Sequence, residues 1–443
     1  IIKRHRIHSV SAQFVVVLLL AWQTLTHLFW LPLSLHSGQT AIPWMMNNGM
    51  VLFDDILEQH APLTSVLAAA AQRMLPLPVD QVAILLNVVL INSIALLIYS
   101  LTKRLADGSR WAGALALVVW VWWVPVFGNV LFYFNTLLAG CVLLGVWLLW
   151  LSERSKQPTW VLIGCGLALG GATLAKQQGW LSVAAVGLWL LWLRYSVRQV
   201  VIYSVAALVL PALTLIIVGL QGNLEDYIYW NWTFNLSGLM DGVPLDSNFF
   251  RKLLLANLLV PAFALLVLRD RLLRGRAVLI LLLYVATAAL LYPRFGEIAA
   301  MSHLPFVAIM SGFVLQRVAQ DALTWQQVRT ADLTLLGVLL AVGAGWLWTG
   351  AVMYVPTPLG IGGTPAYDEY RGLVQQLEPL QAAGDTLFVL PETDSTPQLH
   401  PMTGMLPSGT WVKGWHWYFE APGVLDQLLD EWQTQPPTFV IVF

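Results

Sequence analysis

The chain has 443 residues, of which 58% are hydrophobic and only 11% are charged, and its formal net charge is −1. A mean hydropathy of +0.70 and 22 tryptophans exclude an ordinary soluble domain and indicate a polytopic membrane protein. Cys141 and Cys165 both lie within apolar runs, which excludes a disulfide framework.

A window of about 20 residues, the length that crosses about 30 Å of hydrocarbon, predicts the membrane spans in chain order. The first span follows a basic start, Ile1–Arg6, and we expect it to be retained rather than cleaved as a signal. The spans, about eleven in number, are 10–31, 81–101, 111–127, 130–151, 160–175, 178–193, 199–220, 253–268, 277–292, 303–316 and 333–354.

The basic residues predict the orientation of these spans, because Lys and Arg are enriched in cytoplasmic loops. With the N-terminus inside, the cytoplasmic segments hold 16 of the 23 basic residues but only 5 of the 24 acidic ones. We therefore predict a cytoplasmic N-terminus and an extracytoplasmic C-terminal segment. The outer face is acidic, which argues against a nucleic-acid partner.

The character of the chain changes after about residue 355, where apolar runs shorten and Pro and Gly become frequent. The pattern predicts two helices and two strands in alternation, at Tyr367–Leu380, Thr386–Leu390, Val424–Trp432 and Phe439–Phe443. We therefore expect a polytopic α-helical transmembrane domain at 1–355 and a small extracytoplasmic α/β domain at 356–443. Because the chain stops on the apolar strand TFVIVF, we expect that domain to be truncated.

The first outer loop, residues 32–80, concentrates acidic residues in the stretch NNGMVLFDDILEQHAPL at 47–63. If a helix begins there, Asp55 and Glu58 lie on one face at i, i+3 spacing. A partly desolvated carboxylate beside a bilayer can accept a proton from a hydroxyl, and a pair of carboxylates can hold a divalent cation. The alternative is an exposed acidic loop without chemistry.

The order of residues in this stretch resembles a known family. LFDDILEQHAPL is similar to the first extracytoplasmic loop of the polyprenyl-phosphate-sugar-dependent glycosyltransferases of the integral-membrane C-type superfamily, which commonly reads Tyr-x-Asp-aromatic-aromatic-Glu-x-His-x-Pro-Leu. On this register Asp55 takes the place of the family's acid, and Glu58 and His60 match its later polar positions. The sequence departs from the pattern at Phe53, Ile56 and Leu57 and adds a second acid, Asp54.

Three further stretches are similar to the same family: LYPRFGEIAAMSHLPF at 291–306, TLAKQQGW at 173–180, and the C-terminal DTLFVLPETDSTPQLHPMTGMLPSG with PPTFVIVF. The resemblance implies a multi-pass membrane enzyme of the protein-mannosyltransferase and aminoarabinose-transferase type. It implies inverting transfer of a hexosyl or pentosyl group from a polyprenyl-phosphate-linked donor. The acceptor would be a glycan, a lipid or a protein on the extracytoplasmic face.

The resemblance also implies roles for the acidic residues. Asp55 is the predicted catalytic base, with Asp54 and Glu58 as orienting or metal-binding partners, and His60 is predicted to bind substrate. The extra aspartate leaves open which of Asp54 and Asp55 is the base. A divalent cation, Mg²⁺ or Mn²⁺, held by these two aspartates is the cofactor to be considered.

Basic and polar residues on the same outer side complete the predicted site. We expect Lys176 and Arg294 to hold the donor phosphate, because phosphate favours Lys and Arg donors, and His303 to orient the sugar or the phosphate. The alternative for both bases is interfacial snorkelling, and the alternative for His303 is a structural contact between helices.

Two other functions remain open at this stage. A non-catalytic subunit of a larger complex could keep this fold while losing its chemistry, and the departures at Phe53, Ile56 and Leu57 are compatible with that. A secondary transporter would show related halves and interrupted helices, and the sequence has no such internal symmetry.

Overall fold

The computed structural model describes residues 2–29, 36–127, 132–152, 159–239, 246–270, 274–292, 295–323, 365–392 and 396–443. Arg294, the predicted span 333–354 and the predicted domain boundary near residue 355 therefore lie outside the described residues.

The first 323 residues are almost entirely helical where they are described. The helices are α1 (Ile2–Phe29), α2 (Ala41–Asn47), α3 (Leu63–Met74), α4 (Val79–Leu105), α5 (Arg110–Phe127), α6 (Phe134–Ser152), α7 (Thr159–Ala175), α8 (Trp180–Trp192), α9 (Val197–Gln221), α10 (Leu224–Ile228), a π-helical turn (Tyr229–Thr233), α11 (Phe234–Leu236), α12 (Ser247–Ala256), α13 (Val260–Arg269), α14 (Arg274–Ala288), α15 (Glu297–Ala300) and α16 (Leu304–Leu323).

Every predicted span from 10–31 to 303–316 overlaps a helix, although 253–268 covers the two helices α12 and α13. Within the described ranges, five helical segments are long and apolar enough to cross a membrane, namely Val79–Leu105, Arg110–Phe127, Phe134–Leu151, Val197–Gln221 and Ser247–Arg269. These segments indicate a multi-pass membrane protein, while the total of about eleven spans stays a prediction.

Small residues allow the helices to pack closely. A Cβ atom on Gly166 of α7 would lie 2.6 Å from the carbonyl oxygen of Tyr203 in α9, and one on Gly312 of α16 would lie 2.5 Å from the backbone of Ala116 in α5. Helices in a membrane commonly associate through small residues in this way, because lipid is as apolar as the helix surfaces and close packing must hold them together. Large apolar side chains, including the fully buried Trp120 and Trp123, fill the remaining space.

The C-terminal segment contains the elements that its sequence predicts. They are α17 (Pro365–Leu377), β2 (Leu387–Leu390), α18 (Leu399–Thr403), β3 (Trp411–Val412), α19 (His416–Phe419), α20 (Val424–Thr434) and β4 (Phe439–Val442). β2 and β4 pair in parallel, with Leu387 opposite Phe439.

β3 pairs with the other end of the chain. It lies parallel to β1 (Ile56–Leu57) in the first outer loop, with Ile56 opposite Trp411 and Leu57 opposite Val412. A second apolar core, which includes Phe53, Trp230 and Tyr418, joins this loop to the segment after α9 and to the C-terminal segment. The predicted common side of the first loop and the C-terminal segment is therefore confirmed, whereas the membrane face they share stays a prediction.

Candidate functional site

The acidic stretch folds as a tight turn and not as the start of a helix. Phe53 has a φ of +77°, which is rare for a bulky residue. Burial of its ring against Tyr227, with centroids 5.0 Å apart, stabilises this conformation, and Asn223 donates a hydrogen bond to the Leu52 carbonyl. The turn fixes where the chain enters β1.

The pairing of β1 with β3 brings Glu58 beside Lys413. The Trp411 amide donates to the Asp55 carbonyl at 2.8 Å, and Leu57 is opposite Val412. Glu58 and Lys413 are the next residues on the two strands, and the charge of Lys413 acts on the Glu58 carboxyl. Both residues are buried, at 2% and 6% exposure.

Glu58 forms a close pair with His60. Oε1 of Glu58 accepts hydrogen bonds from the backbone amide of His60 at 3.0 Å and from Nδ1 of its ring at 2.5 Å. Oε2 of Glu58 is buried, and no donor reaches it from the described part of the chain. A buried carboxylate oxygen without a donor is costly, so this atom is a site for a ligand's hydroxyl or cation.

His36, which sequence reasoning missed, completes one side of this cluster. Its Nδ1 lies 3.1 Å from the Gly38 amide nitrogen, and its Nε2 lies 2.7 Å from Nζ of Lys413. A neutral imidazole accepts through one nitrogen only, so His36 accepts from one of these two donors at a time. Burial, then the charge of Lys413 and then that of His60, hold the pKa of His36 well below its ordinary value. His36 is therefore neutral and packs against the lysine.

Aromatic rings cover the Glu58–His60 pair. The ring of Phe134 stacks on His60 at 3.9 Å and 11°, and Tyr133 lies edge-on to His36 with centroids 4.8 Å apart. Burial among these groups lowers the pKa of His60, although the Glu58 carboxylate raises it in part. The pKa of His60 is therefore tied to the charge of Glu58.

The carboxyl of Glu58 stays ionised in this setting. Burial alone would raise its pKa, but the charge and hydrogen bonds of His60 and the charge of Lys413 bring the pKa below the ordinary value of 4.5. A deprotonated Glu58 is the form that can accept a proton.

Lys176 approaches the same cluster from the end of α7. Its Nζ donates to Oδ1 of Asn135 at 2.9 Å, and its charge acts on His60. Of the predicted phosphate-binding pair, Lys176 therefore lies near the predicted loop, while Arg294 lies outside the described residues. Lys413 supplies a second cation that the sequence did not single out.

The backbone between Glu58 and His60 is held from two further segments. The carbonyl of Gln59 accepts hydrogen bonds from Gln177 at 3.1 Å and from Asn235 at 2.8 Å. Gln177 also binds the carbonyl and the side chain of Asn231, which lies in the π-helical turn. π-helical turns are frequent at functional sites because they re-aim polar groups.

The two aspartates occupy a different position. Oδ2 of Asp55 accepts a hydrogen bond from the Val51 amide at 2.7 Å, within the turn. Asp54 is exposed, and its charge acts on Asp226 of α10, whose pKa is raised first by burial and then by Asp54. Among the described residues no group of three or more His, Cys, Asp or Glu side chains could hold a metal ion, and a cation held by this pair stays a prediction.

His303 is buried at the start of α16, and its ring lies edge-on to Tyr284 with centroids 5.9 Å apart. No hydrogen bond or ring contact joins it to the Glu58–His60 pair in the part of the chain that the structure describes. The described contacts of His303 are therefore those of a residue between helices.

The sequence contains only a weak indication that His36 and Lys413 belong to the site. Lys413 is one of only seven basic residues on the predicted outer side, and His36 lies in the same outer loop as Glu58. Nothing in the sequence pairs β1 with β3, because strands of two residues carry no periodicity.

The fold and this cluster define a multi-pass membrane protein with a buried, cation-flanked carboxylate on one side. No protein-family model matches the sequence, and no curated protein matches it. Solved structures that are similar share its fold and little of its sequence.

The archaeal oligosaccharyltransferase AglB from Archaeoglobus fulgidus, in complex with an inhibitory peptide and a dolichol-phosphate, is 12% identical with a TM-score of 0.59, over 98% of this chain and 69% of that chain. ArnT from Cupriavidus metallidurans in the apo state is 15% identical with a TM-score of 0.60, over 98% of this chain and 93% of that chain. The same ArnT bound to undecaprenyl phosphate is 14% identical with a TM-score of 0.57, over 99% of this chain and 90% of that chain. The resemblance to membrane glycosyltransferases is thus confirmed at the level of the fold.

Proposed function

We propose that the chain transfers a sugar from a polyprenyl-phosphate-linked donor to an acceptor on the extracytoplasmic face. The observation that carries this proposal is the ionised, buried Glu58, whose Oε2 lacks a donor among the described residues and which lies beside Lys413. The fold supports it, since the similar structures include an ArnT bound to undecaprenyl phosphate and an AglB bound to a dolichol-phosphate.

Glu58 is the carboxylate best suited to act as the base. His60 holds one of its oxygens and leaves the other for the acceptor hydroxyl. Asp55, the base that the resemblance implies, is only partly buried and holds the Val51 amide within the turn, whereas Glu58 is buried beside the charge of Lys413. We therefore assign Asp55 to orienting the loop and Glu58 to proton transfer.

Lys413 and Lys176 are the phosphate-binding residues in this proposal. Both are cations near the Glu58–His60 pair, and charge-assisted contacts are the usual means of binding phosphate. Arg294 remains a further predicted phosphate ligand, and a role of His303 in orienting the sugar or the phosphate stays a prediction.

The reaction is then a single displacement. The acceptor oxygen forms a bond to the anomeric carbon as the bond from that carbon to the phosphate oxygen breaks. The acceptor proton passes to Oε2 of Glu58, and the lysines compensate the charge of the departing polyprenyl phosphate. Attack from the side opposite the leaving group inverts the anomeric centre.

We assign the apolar part of the donor to a cavity that the same outer loop lines. A cavity of about 560 Å³ lies between the first outer loop, α3 and the end of α9. Its apolar lining includes Met50, Val66, Ile217 and Val218, and Arg73 contributes a charge. A prenyl chain and its first polar group match this combination.

A divalent cation at Asp54 and Asp55 stays a separate prediction. No step of the proposed reaction depends on it. If Lys413 and Lys176 bind the phosphate without a cation, we expect a chelator to leave the activity unchanged.

The test is a membrane assay with the full chain and a panel of radiolabelled polyprenyl-phosphate sugars. We expect transfer from at least one donor, and loss of transfer without loss of donor binding in Glu58→Gln. Glu420→Gln, which makes the same chemical change at an exposed carboxylate, is the matched control. Donor binding without transfer in the unaltered chain would instead identify a non-catalytic subunit.

A further inference from the structure

A second buried pair of an acid and a histidine lies in the C-terminal segment. Oε1 of Glu392 lies 2.8 Å from Nε2 of His400, and the two residues are 3% and 0% exposed. Nδ1 of His400 lies 3.0 Å from the carbonyl oxygen of Met405. A carbonyl oxygen only accepts, so Nδ1 carries a hydrogen, and a further hydrogen lies between Nε2 and Oε1. The ring thus joins Glu392, before α18, to Met405, after it.

The backbone of Glu392 contacts the residue that follows Lys413. The amide of Gly414 donates a hydrogen bond to the Glu392 carbonyl at 2.8 Å. The two backbones are so close that a Cβ atom on Gly414 would lie 2.7 Å from the Glu392 amide nitrogen. The Trp415 amide donates to the Lys413 carbonyl at 2.8 Å, so the chain turns sharply at Gly414. The direction in which the chain leaves β3 at Lys413 therefore depends on where Glu392 lies.

The small apolar core of the C-terminal segment holds this pair in place. Leu387 of β2, Leu399 of α18 and Met405 belong to that core, and the Met405 carbonyl is the partner of the His400 ring. The ring therefore links the core to Glu392, and through Glu392 to the turn that follows β3.

A purely structural role does not explain why these two residues are polar. A buried acid and a buried histidine are costly, because their polar atoms lose water and must find partners. Apolar side chains of similar size often stabilise a core as well or better. The location supplies another reason, since the contacts of the pair lead to the turn beside Lys413.

We propose that the Glu392–His400 pair positions Lys413 in the site. The inference rests on the proposed function for what the lysine does, which is to bind the donor phosphate. The link runs from the His400 ring to the Glu392 carboxyl, and from the Glu392 backbone to Gly414. Glu392 and His400 are positioning residues, because they act on the donor only through Lys413.

The test measures how fast Lys413 of the full chain reacts with an amine-specific acylating reagent, in detergent and without any donor. Lys413 is 6% exposed, so it should react slowly in the unaltered chain. Glu392→Ala removes the bond to His400 and should make Lys413 react several-fold faster. Glu392→Gln should keep the slow rate, because its amide can donate to Nε2 of the ring. An unchanged rate in Glu392→Ala would overturn the proposal.

Variants of His400 make the same test from the other partner. His400→Gln places an amide near the position of Nε2 and should keep the slow rate. His400→Asn is too short to reach Glu392 and should raise the rate as Glu392→Ala does. These two variants decide the question if Glu392→Ala fails to fold, and equal rates in both would contradict the proposal.

Two controls separate displacement of the lysine from instability of the segment. Leu387→Ala leaves a cavity in the same small core and should lower the thermal unfolding midpoint while Lys413 still reacts slowly. Glu378→Ala changes an exposed carboxylate of the same segment and should alter neither quantity. Reaction in Leu387→Ala as fast as in Glu392→Ala would leave the pair a structural role only and would overturn the proposal.

Binding of undecaprenyl phosphate then connects the pair to the proposed function. Glu392→Ala should weaken binding about tenfold, within the range for residues of one network, and should have no further effect in a Lys413→Met background. Equal weakening in both backgrounds would show that the pair acts elsewhere and would sink the proposal. Faster acylation with unchanged affinity would support the positioning and remove Lys413 from the proposed phosphate site.

Discussion

Glu58 and Lys413 follow directly after two paired strands of two residues each, so side chains from the two ends of the chain meet in one buried site. The Lys413 charge helps to keep Glu58 ionised, and Lys413 in turn lies 2.7 Å from the neutral ring of His36. This relationship makes the C-terminal segment a part of the site.

The first prediction separates Glu58 from Asp55. Glu58→Gln should lower turnover by roughly 10²- to 10⁴-fold, because a general base loses its proton-accepting oxygen. Asp55→Asn should cost far less, since the amide oxygen can still accept the Val51 amide. Turnover is measured for both variants with a confirmed donor. The opposite ranking would return the role of base to Asp55.

The second prediction concerns the two lysines. Lys413→Met and Lys176→Met should each weaken donor binding by roughly 10- to 150-fold, which corresponds to the loss of a charge-assisted contact of about 1.5–3 kcal/mol. Arg251→Met, which removes an exposed base of α12, is the control in the same equilibrium binding assay. Unchanged affinity in both lysine variants would exclude them as phosphate ligands.

The third prediction uses the backbone next to Lys413. A Cβ atom on Gly414 would lie 2.7 Å from the Glu392 amide nitrogen, so Gly414→Ala should displace Lys413 and reduce turnover by up to about 100-fold. Gly372 has no atom within 4 Å of an added Cβ, and Gly372→Ala in the exposed part of α17 should leave turnover unchanged. Turnover of both variants is measured in steady-state assays. Equal turnover would show that the backbone around Gly414 can shift to accept the added Cβ without displacing Lys413.

The fourth prediction concerns pH. The pKa of His36 in the folded chain lies well below 6.5, whereas the unfolded chain binds a proton at this residue near pH 6.5. The unfolded state therefore binds more protons below that pH, and stability falls as the pH falls. Thermal unfolding midpoints should decline from about pH 7.5 to 5.5, and His36→Gln should make the decline shallower. A steeper decline in this variant would contradict a neutral His36.

The fifth prediction tests the orientation. In a chain whose two cysteines are replaced, single cysteines at the exposed positions Asp54 and Glu420 should react with an impermeant reagent from the extracytoplasmic side. A cysteine at Asp107, at the other end of the bundle, should react only after permeabilisation. Labelling of Asp107 in place of the other two would reverse the predicted topology.

The sequence by itself determined the class of the protein, the approximate positions of its described helices and the elements of its C-terminal segment. These features depend on local composition and periodicity, which a single sequence carries. It also located the first outer loop, and within it the Glu58 and His60 that the structure pairs.

Only the tertiary structure decided which polar residues meet. Asp55 and Glu58 share a short stretch, but the left-handed Phe53 and the turn after it direct Asp55 to Val51 and Glu58 into the cluster. Lys413 reaches Glu58 through a strand pair too short to leave a periodic pattern. Burial then keeps His36 neutral, whereas His60 and Lys413 keep the buried Glu58 ionised against the effect of burial.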